Sequence, residues 1–236
     1  MRYGHERRGL HRTATASQCL PFSLALGILG DCVPQRTFDF CALQFLNQWL
    51  EKEKSYCEML ASPDMDTQRL ALSKAGGHFR VARNLPTQFE KEKSFTRYQP
   101  VLEALNNIDE VNLSNVTDVV NEARKRISDH YGGRNVLSLT TKFLWLKVKS
   151  PVRIYDKQAR IALNTKEGDF TAFNDAFSER YAACEEQILD ACSNLKNILS
   201  YSVRPEISQD EIKKISSEHW FRERVLDIYL WNQGDA

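Results

Sequence analysis

From Asp169 to about Leu199 the chain carries one apolar stripe: Phe170, Phe173, Phe177, Tyr181, Cys184, Ile188, Cys192, Leu195 and Ile198. Side chains spaced by threes and fours share one face of an α-helix, whereas a strand requires alternation. A helix of that length must be covered by others. The remainder of the chain repeats the pattern in shorter pieces, so the expected fold is all-α, a multi-helix globular protein with little or no sheet.

Punctuation divides the rest. Phe40, Leu43, Leu46, Trp49 and Leu50 form an amphipathic helix whose charged continuation, Glu51 to Lys54, reads as a solvated end. Asp64 to Ala75 is a second helix, stopped by Gly76-Gly77, and Phe79 to Leu85 a short third, stopped at Pro86. Thr87 to Thr96 is polar and reads as a loop. Tyr98, Val101, Leu102, Leu105 and Ile108 share a face, and so do Val116, Val119, Val120, Ala123, Ile127 and Tyr131, with Ser114 placed to cap and Gly132-Gly133 to terminate. Ser138 to Lys149 is a compact helix broken by Pro151, only Val152 to Tyr155 looks extended, and Asp156 opens a short helix through Leu163. Ser208 and Glu211 have capping-box spacing and start a helix that continues, with a break near Ser217, to Trp231. The expected organisation is an N-terminal extension over residues 1–37, a helical subdomain over 38–113 and a second helical subdomain over 114–236.

Length and charge exclude several classes. A chain of 236 residues buries a core without metal or disulfide staples, and its net charge of +1 puts any polyanion-binding surface in a local patch. The cysteines Cys19, Cys32, Cys41, Cys57, Cys184 and Cys192 form no C-x-x-C pair and have no His at ligand spacing, which argues against a zinc site or a cysteine-ligated cluster. They read as buried thiols of a reducing, cytoplasmic protein. Arg7, Arg8 and Arg12 precede an apolar run, Cys19 to Val33, that imitates a secretory leader. Pro21, Gly27, Gly30 and Asp31 interrupt it, and it is too short to span a bilayer, so no membrane partner is expected. No Gly-rich phosphate loop, H-E-x-x-H or G-x-S-x-G motif is present, and His5, His11, His78, His130 and His219 are scattered. No cofactor is expected.

The informative stretch is Ser138 to Arg160, in which Lys142, Lys147, Lys149, Arg153, Lys157 and Arg160 face the single acid Asp156. Such a patch suits a polyanion, although charge runs are commonly just solvated faces. On the helix, Ser138, Lys142, Trp145 and Lys149 share one face, while Leu139, Phe143 and Leu146 share another that must be buried. A lysine leaving an apolar helix beside other cations loses proton affinity, and a free amine can form a Schiff base with a sugar carbon. The plainer reading is a lysine that snorkels to water. Asp156 stands where a carboxylate begins the next helix, as an N-cap or as a partner that stabilises a cationic sugar.

The order Thr141-Lys142-Phe143, an apolar helix, Pro151, then Asp156 opening a helix with Ala159-Arg160 inside it resembles the helix-hairpin-helix DNA glycosylase superfamily, most of all the bacterial 8-oxoguanine DNA glycosylase-like proteins. The segment Arg224 to Trp231 is similar to the end of such proteins. Where the family's hairpin carries L-P-G-x-G, this chain has Leu137-Ser138-Leu139-Thr140.

The resemblance implies that residues 114–236 are a catalytic-like subdomain and that Lys142 is the nucleophile and Asp156 the second catalytic residue. It implies base excision with β-lyase activity on oxidised purines in double-stranded DNA. The damaged base would be extruded into a pocket for which Trp145, Tyr155, Trp220, Phe221 and Trp231 are candidates, though each serves a core equally well. Thr141, Lys147, Lys149, Arg153, Lys157, Arg160, Arg124, Lys125 and Arg126 are the candidates for contacts to the DNA backbone. A non-catalytic helical module that binds nucleic acid, or one that binds protein, stands as the alternative.

Overall fold

A computed structural model describes residues 36–85 and 97–234. Five of the ten α-helices among the described residues begin where a side chain replaces the missing backbone acceptor. Thr37 caps α1 (Phe38–Gln48), Asp64 caps α3 (Met65–His78), and Asp169 caps the long helix α8 (Phe170–Asn194), each accepting from the third residue on. Between the first two lies α2 (Lys54–Leu60), and after α3 come α4 (Gln99–Asn106), α5 (Val116–His130), α6 (Leu137–Val148) and α7 (Lys157–Ala162). Ser208 Oγ accepts from the Glu211 amide to start α9 (Gln209–Ser216), and α10 (His219–Gly234) follows. No strand occurs among the described residues; the protein is all-α and globular, and Val152–Tyr155 is extended without pairing.

The stripes read from the sequence are the faces that meet. Phe170, Phe173, Phe177, Ile188 and Leu195 are buried in one cluster with Phe45, Leu46, Val120, Ile127, Phe143 and Leu226. The described residues all fall in one compact unit. The expected extension 1–37 lies outside the described residues apart from Arg36 and Thr37, as does the expected loop Thr87–Thr96.

Several local expectations are corrected. The charged run after the first helix is not an end: the backbone widens into a π-helical turn, Trp49–Glu53, and continues as α2, and while Glu51, Lys52 and Lys54 do face solvent, Glu53 is wholly buried. Gly76-Gly77 does not stop α3. A Cβ at Gly76 would stand 2.6 Å from the Tyr98 hydroxyl, so glycine is there for close packing, and the helix ends only at Phe79. The residue that takes the left-handed conformation past its end is Arg80, at φ 56. Phe79–Leu85 then holds just a 3-10 turn, Ala82–Asn84. Ser114 bonds to the Asn112 side chain instead of capping α5. Gly132 and Gly133 do end α5, at φ 74 and 77, with the Gly133 amide returning to the Ser128 carbonyl.

Candidate functional site

After α6 the chain reverses at Lys149, at φ 61, and Val152–Tyr155 runs back along the helix it has just left. A buried hydrogen bond sets the register: the Tyr155 amide donates to Thr141 Oγ1 at 3.0 Å, and that hydroxyl lies within reach of the Leu137 carbonyl at 3.2 Å. Neighbours of a paired couple are themselves neighbours, so Lys142 meets Asp156. Lys142 Nζ donates to Asp156 Oδ2 at 2.8 Å and to Ser138 Oγ at 3.0 Å, one turn earlier on α6. Asp156 Oδ1 accepts from the Gln158 amide at 3.1 Å, so one carboxylate both caps α7 and holds the amine. Burial raises the Asp156 carboxyl, yet the Lys142 ammonium and these hydrogen bonds outweigh it and hold the group below its ordinary range.

Both groups line a cleft of about 820 Å³, the size of a small-molecule site. Its deep side is an ionic cluster that joins α10 to the π-helical turn. The Arg224 guanidinium lies between the rings of Phe45 and Trp145, 4.9 and 5.0 Å from their centroids. It donates to Asp227, one turn along α10, and at 3.1 Å to Glu53 Oε1, which His78 Nε2 approaches at 3.6 Å. Burial pushes the Asp227 carboxyl up to about 6 despite the adjacent Arg224. Glu53 Oε2 and Asp227 Oδ1 are buried acceptors without a hydrogen-bond partner among the described residues. Unpaired buried acceptors cost on the order of 1–3 kcal/mol each.

Of the aromatic candidates, Tyr155 and Trp231 line the cleft. Trp145 and Phe221 do not: both are buried with Phe45 and Trp220, and Trp220 packs on Trp49 at 4.6 Å between centroids. Their rings build the wall behind Arg224. Of the cationic candidates, Lys157 and Arg160 line the cleft. Thr141 is buried and spends its hydroxyl on the chain reversal. Arg153 is likewise buried, bonded to Glu223, Asn174 and Ser178, and cannot reach a phosphate. Lys147 binds the Leu105 carbonyl at the end of α4, and Lys149 stands over Trp49 and Trp220. Arg124 donates to the Gly168 carbonyl, Arg126 pairs with Glu122, and Lys125 is exposed on α5, all away from the cleft.

Sequence reasoning missed Glu53, His78, Arg80, Arg83, Arg224 and Asp227, all of which line the cleft. The available signal was Arg224 and Asp227 at helical spacing on a segment otherwise rich in Val, Leu and Ile, where charge is costly unless paired. Among the described residues no group of three or more His, Cys, Asp or Glu gathers as a metal site, and no helix is long and apolar enough to cross a membrane. The thiols of the buried Cys41 and Cys192 and the half-buried Cys57 are pushed up to about 11, 12 and 12 by desolvation, which makes them poor nucleophiles.

Comparison of the chain with family models, with curated proteins and with solved structures finds no match in any of the three.

Proposed function

We propose that this protein is a helix-hairpin-helix-like DNA glycosylase with β-lyase activity, acting on an oxidised purine of the 8-oxoguanine type through Lys142. The observation that carries the reading is the 2.8 Å pairing of Lys142 with Asp156 inside a cleft of about 820 Å³.

In the resting pair Asp156 Oδ2 stands 2.8 Å from Lys142 Nζ, which holds the carboxyl below its ordinary range. Transfer of one proton from Nζ to Oδ2 frees the amine lone pair to attack the anomeric carbon of an extruded nucleotide. The glycosidic bond breaks, its electron pair leaves with the base, and the Asp156 proton follows to the base. Opening of the sugar, with one amine proton passing to the ring oxygen, then gives a protonated lysine Schiff base, whose iminium cation Asp156, ionised again, stabilises. The Asp156 carboxylate takes the C2′ proton as the C3′–O bond breaks and the 3′ phosphate leaves with that electron pair.

Borohydride reduction in the presence of duplex DNA with an abasic site tests this. The wild-type chain is expected to give a covalent adduct that Lys142→Ala abolishes. Absence of an adduct in the wild type, or its persistence in the variant, contradicts the reading. Salt-sensitive DNA affinity without an adduct would instead favour a non-catalytic nucleic-acid-binding module, in which Lys142 and Asp156 merely clasp α6 to α7.

A further inference from the structure

Arg80 occupies a backbone position that penalises it. Left-handed geometry is unfavourable for a residue with a Cβ, and a residue just past a helix end is where glycine ordinarily avoids that strain. Here α3 ends with the Val81 amide on the Gly76 carbonyl at 3.0 Å, and Arg80 supplies the φ of 56 between them. The side chain earns nothing back inside the protein: Arg80 is exposed, and its guanidinium has no hydrogen bond or ion pair among the described residues. It lines the cleft, as does Arg83, exposed three residues later and equally without a side-chain partner. A strained residue at a cleft mouth points to a role for its side chain.

The turn that carries Arg83 is held from behind. The Arg97 guanidinium donates to the carbonyls of Ala82 and Leu85, and the Arg97 carbonyl accepts from the Tyr131 hydroxyl at the end of α5. Arg83 thus projects from a braced turn. The same cleft is lined by Lys157, exposed, and Arg160, with one nitrogen spent on the Thr165 carbonyl. Of the acids that line the cleft, Asp156 is paired with Lys142, and Glu53 and Asp227 with Arg224, which leaves Glu167 as the lining acid with no ion pair among the described residues.

We propose that Arg80 and Arg83 form one jaw of a phosphate clamp whose other jaw is Lys157 and Arg160, gripping the DNA backbone on both sides of the nucleotide delivered to Lys142. This rests on the glycosylase reading, and it assigns binding to a segment far from the basic stretch that suggested DNA. Arginine suits the task because its fork can hold two phosphate oxygens at once.

The test uses a duplex with a tetrahydrofuran abasic analogue, titrated at several salt concentrations. Arg80→Gly removes the cation and relieves the backbone. It is expected to weaken binding about tenfold at fixed moderate salt and to reduce the salt slope by about 1. The same variant should melt about 2–4 °C higher. Arg83→Ala should show the same losses without the rise in melting temperature, and Arg80→Lys should keep most of the affinity. Unchanged affinity and slope in Arg80→Gly and Arg83→Ala, with borohydride trapping intact in the wild type, overturns the clamp and leaves the glycosylase reading standing. A lowered melting temperature in Arg80→Gly overturns it too, since the arginine would then be structural. A wild-type chain with no salt-dependent affinity for this duplex overturns both.

Discussion

Asp227 is ionised at a cost. Burial raises its carboxyl from 3.8 to about 6 although Arg224 adjoins it and opposes the shift, and Asp156 adds repulsion. A carboxyl with a raised folded pKa binds its proton more tightly in the native state, so its contribution to stability is complete below about pH 4 and is lost as pH rises through about 6. Asn mimics the protonated form. Asp227→Asn should therefore match the wild type in melting temperature near pH 4 and exceed it above pH 7. A thermal melt series over that range checks it, and a variant that is less stable at pH 7 would contradict the burial argument. Asp156 has the opposite sign: its carboxyl is lowered, so its contribution is present above the unfolded value and lost as pH falls through the folded one. Each carboxylate was visible in the sequence as a letter, but only Asp156 had a local signal, the cap position after Pro151. The cost at Asp227 arises from Arg224, Glu53 and Asp156 meeting in space, which no spacing rule encodes.

At the scale of elements, the register of α7 against its neighbours decides where Asp156 stands. One restraint is the bond between the Tyr155 amide and Thr141 Oγ1. Another is the close approach of α10 to α7 at Gly234, where a Cβ would come within 2.0 Å of the Gln158 carbonyl oxygen. Backbone cannot yield as a side-chain tip can, so Gly234→Ala must push the end of α10 away from α7. The expected result is a loss of about 1–3 kcal/mol in denaturant unfolding, the usual range for overpacking. It should be accompanied by weaker DNA binding at the cleft, because Trp231, one turn earlier, lines it. Unaltered stability would mean that the contact is not tight. The same kind of contact explains what the sequence hid in α3. A Gly-Gly pair ordinarily signals a helix end, as it does at Gly132-Gly133, but Gly76 faces Tyr98, so the end moves on to Arg80. Likewise Glu51 to Lys54 looked like solvent-facing charge, until the widened turn carries Glu53 into the core opposite Arg224.

Across the whole molecule, apolar periodicity made the helical class legible, since a stripe such as that of α8 has one geometric meaning. The Lys142–Asp156 pairing was legible as a possibility, through an apolar helix, a proline and a returning segment. The rest of the cleft was not, because its walls come from α1, the end of α3, α6, α7 and α10, segments whose meeting depends on packing. Charge density along the chain also misled. Arg153 and Lys147 serve internal contacts, while Arg80 and Arg83, outside the basic stretch, stand at the mouth. The central claim is that the amine of Lys142 is the group that reaches the sugar. Its most direct measurement is peptide mapping of the borohydride-reduced adduct formed on duplex DNA carrying 8-oxoguanine. The account predicts one modified lysine, Lys142, in a chain whose Asp156→Asn variant forms the adduct far more slowly; an adduct on any other lysine, or equal rates in the two chains, would contradict it.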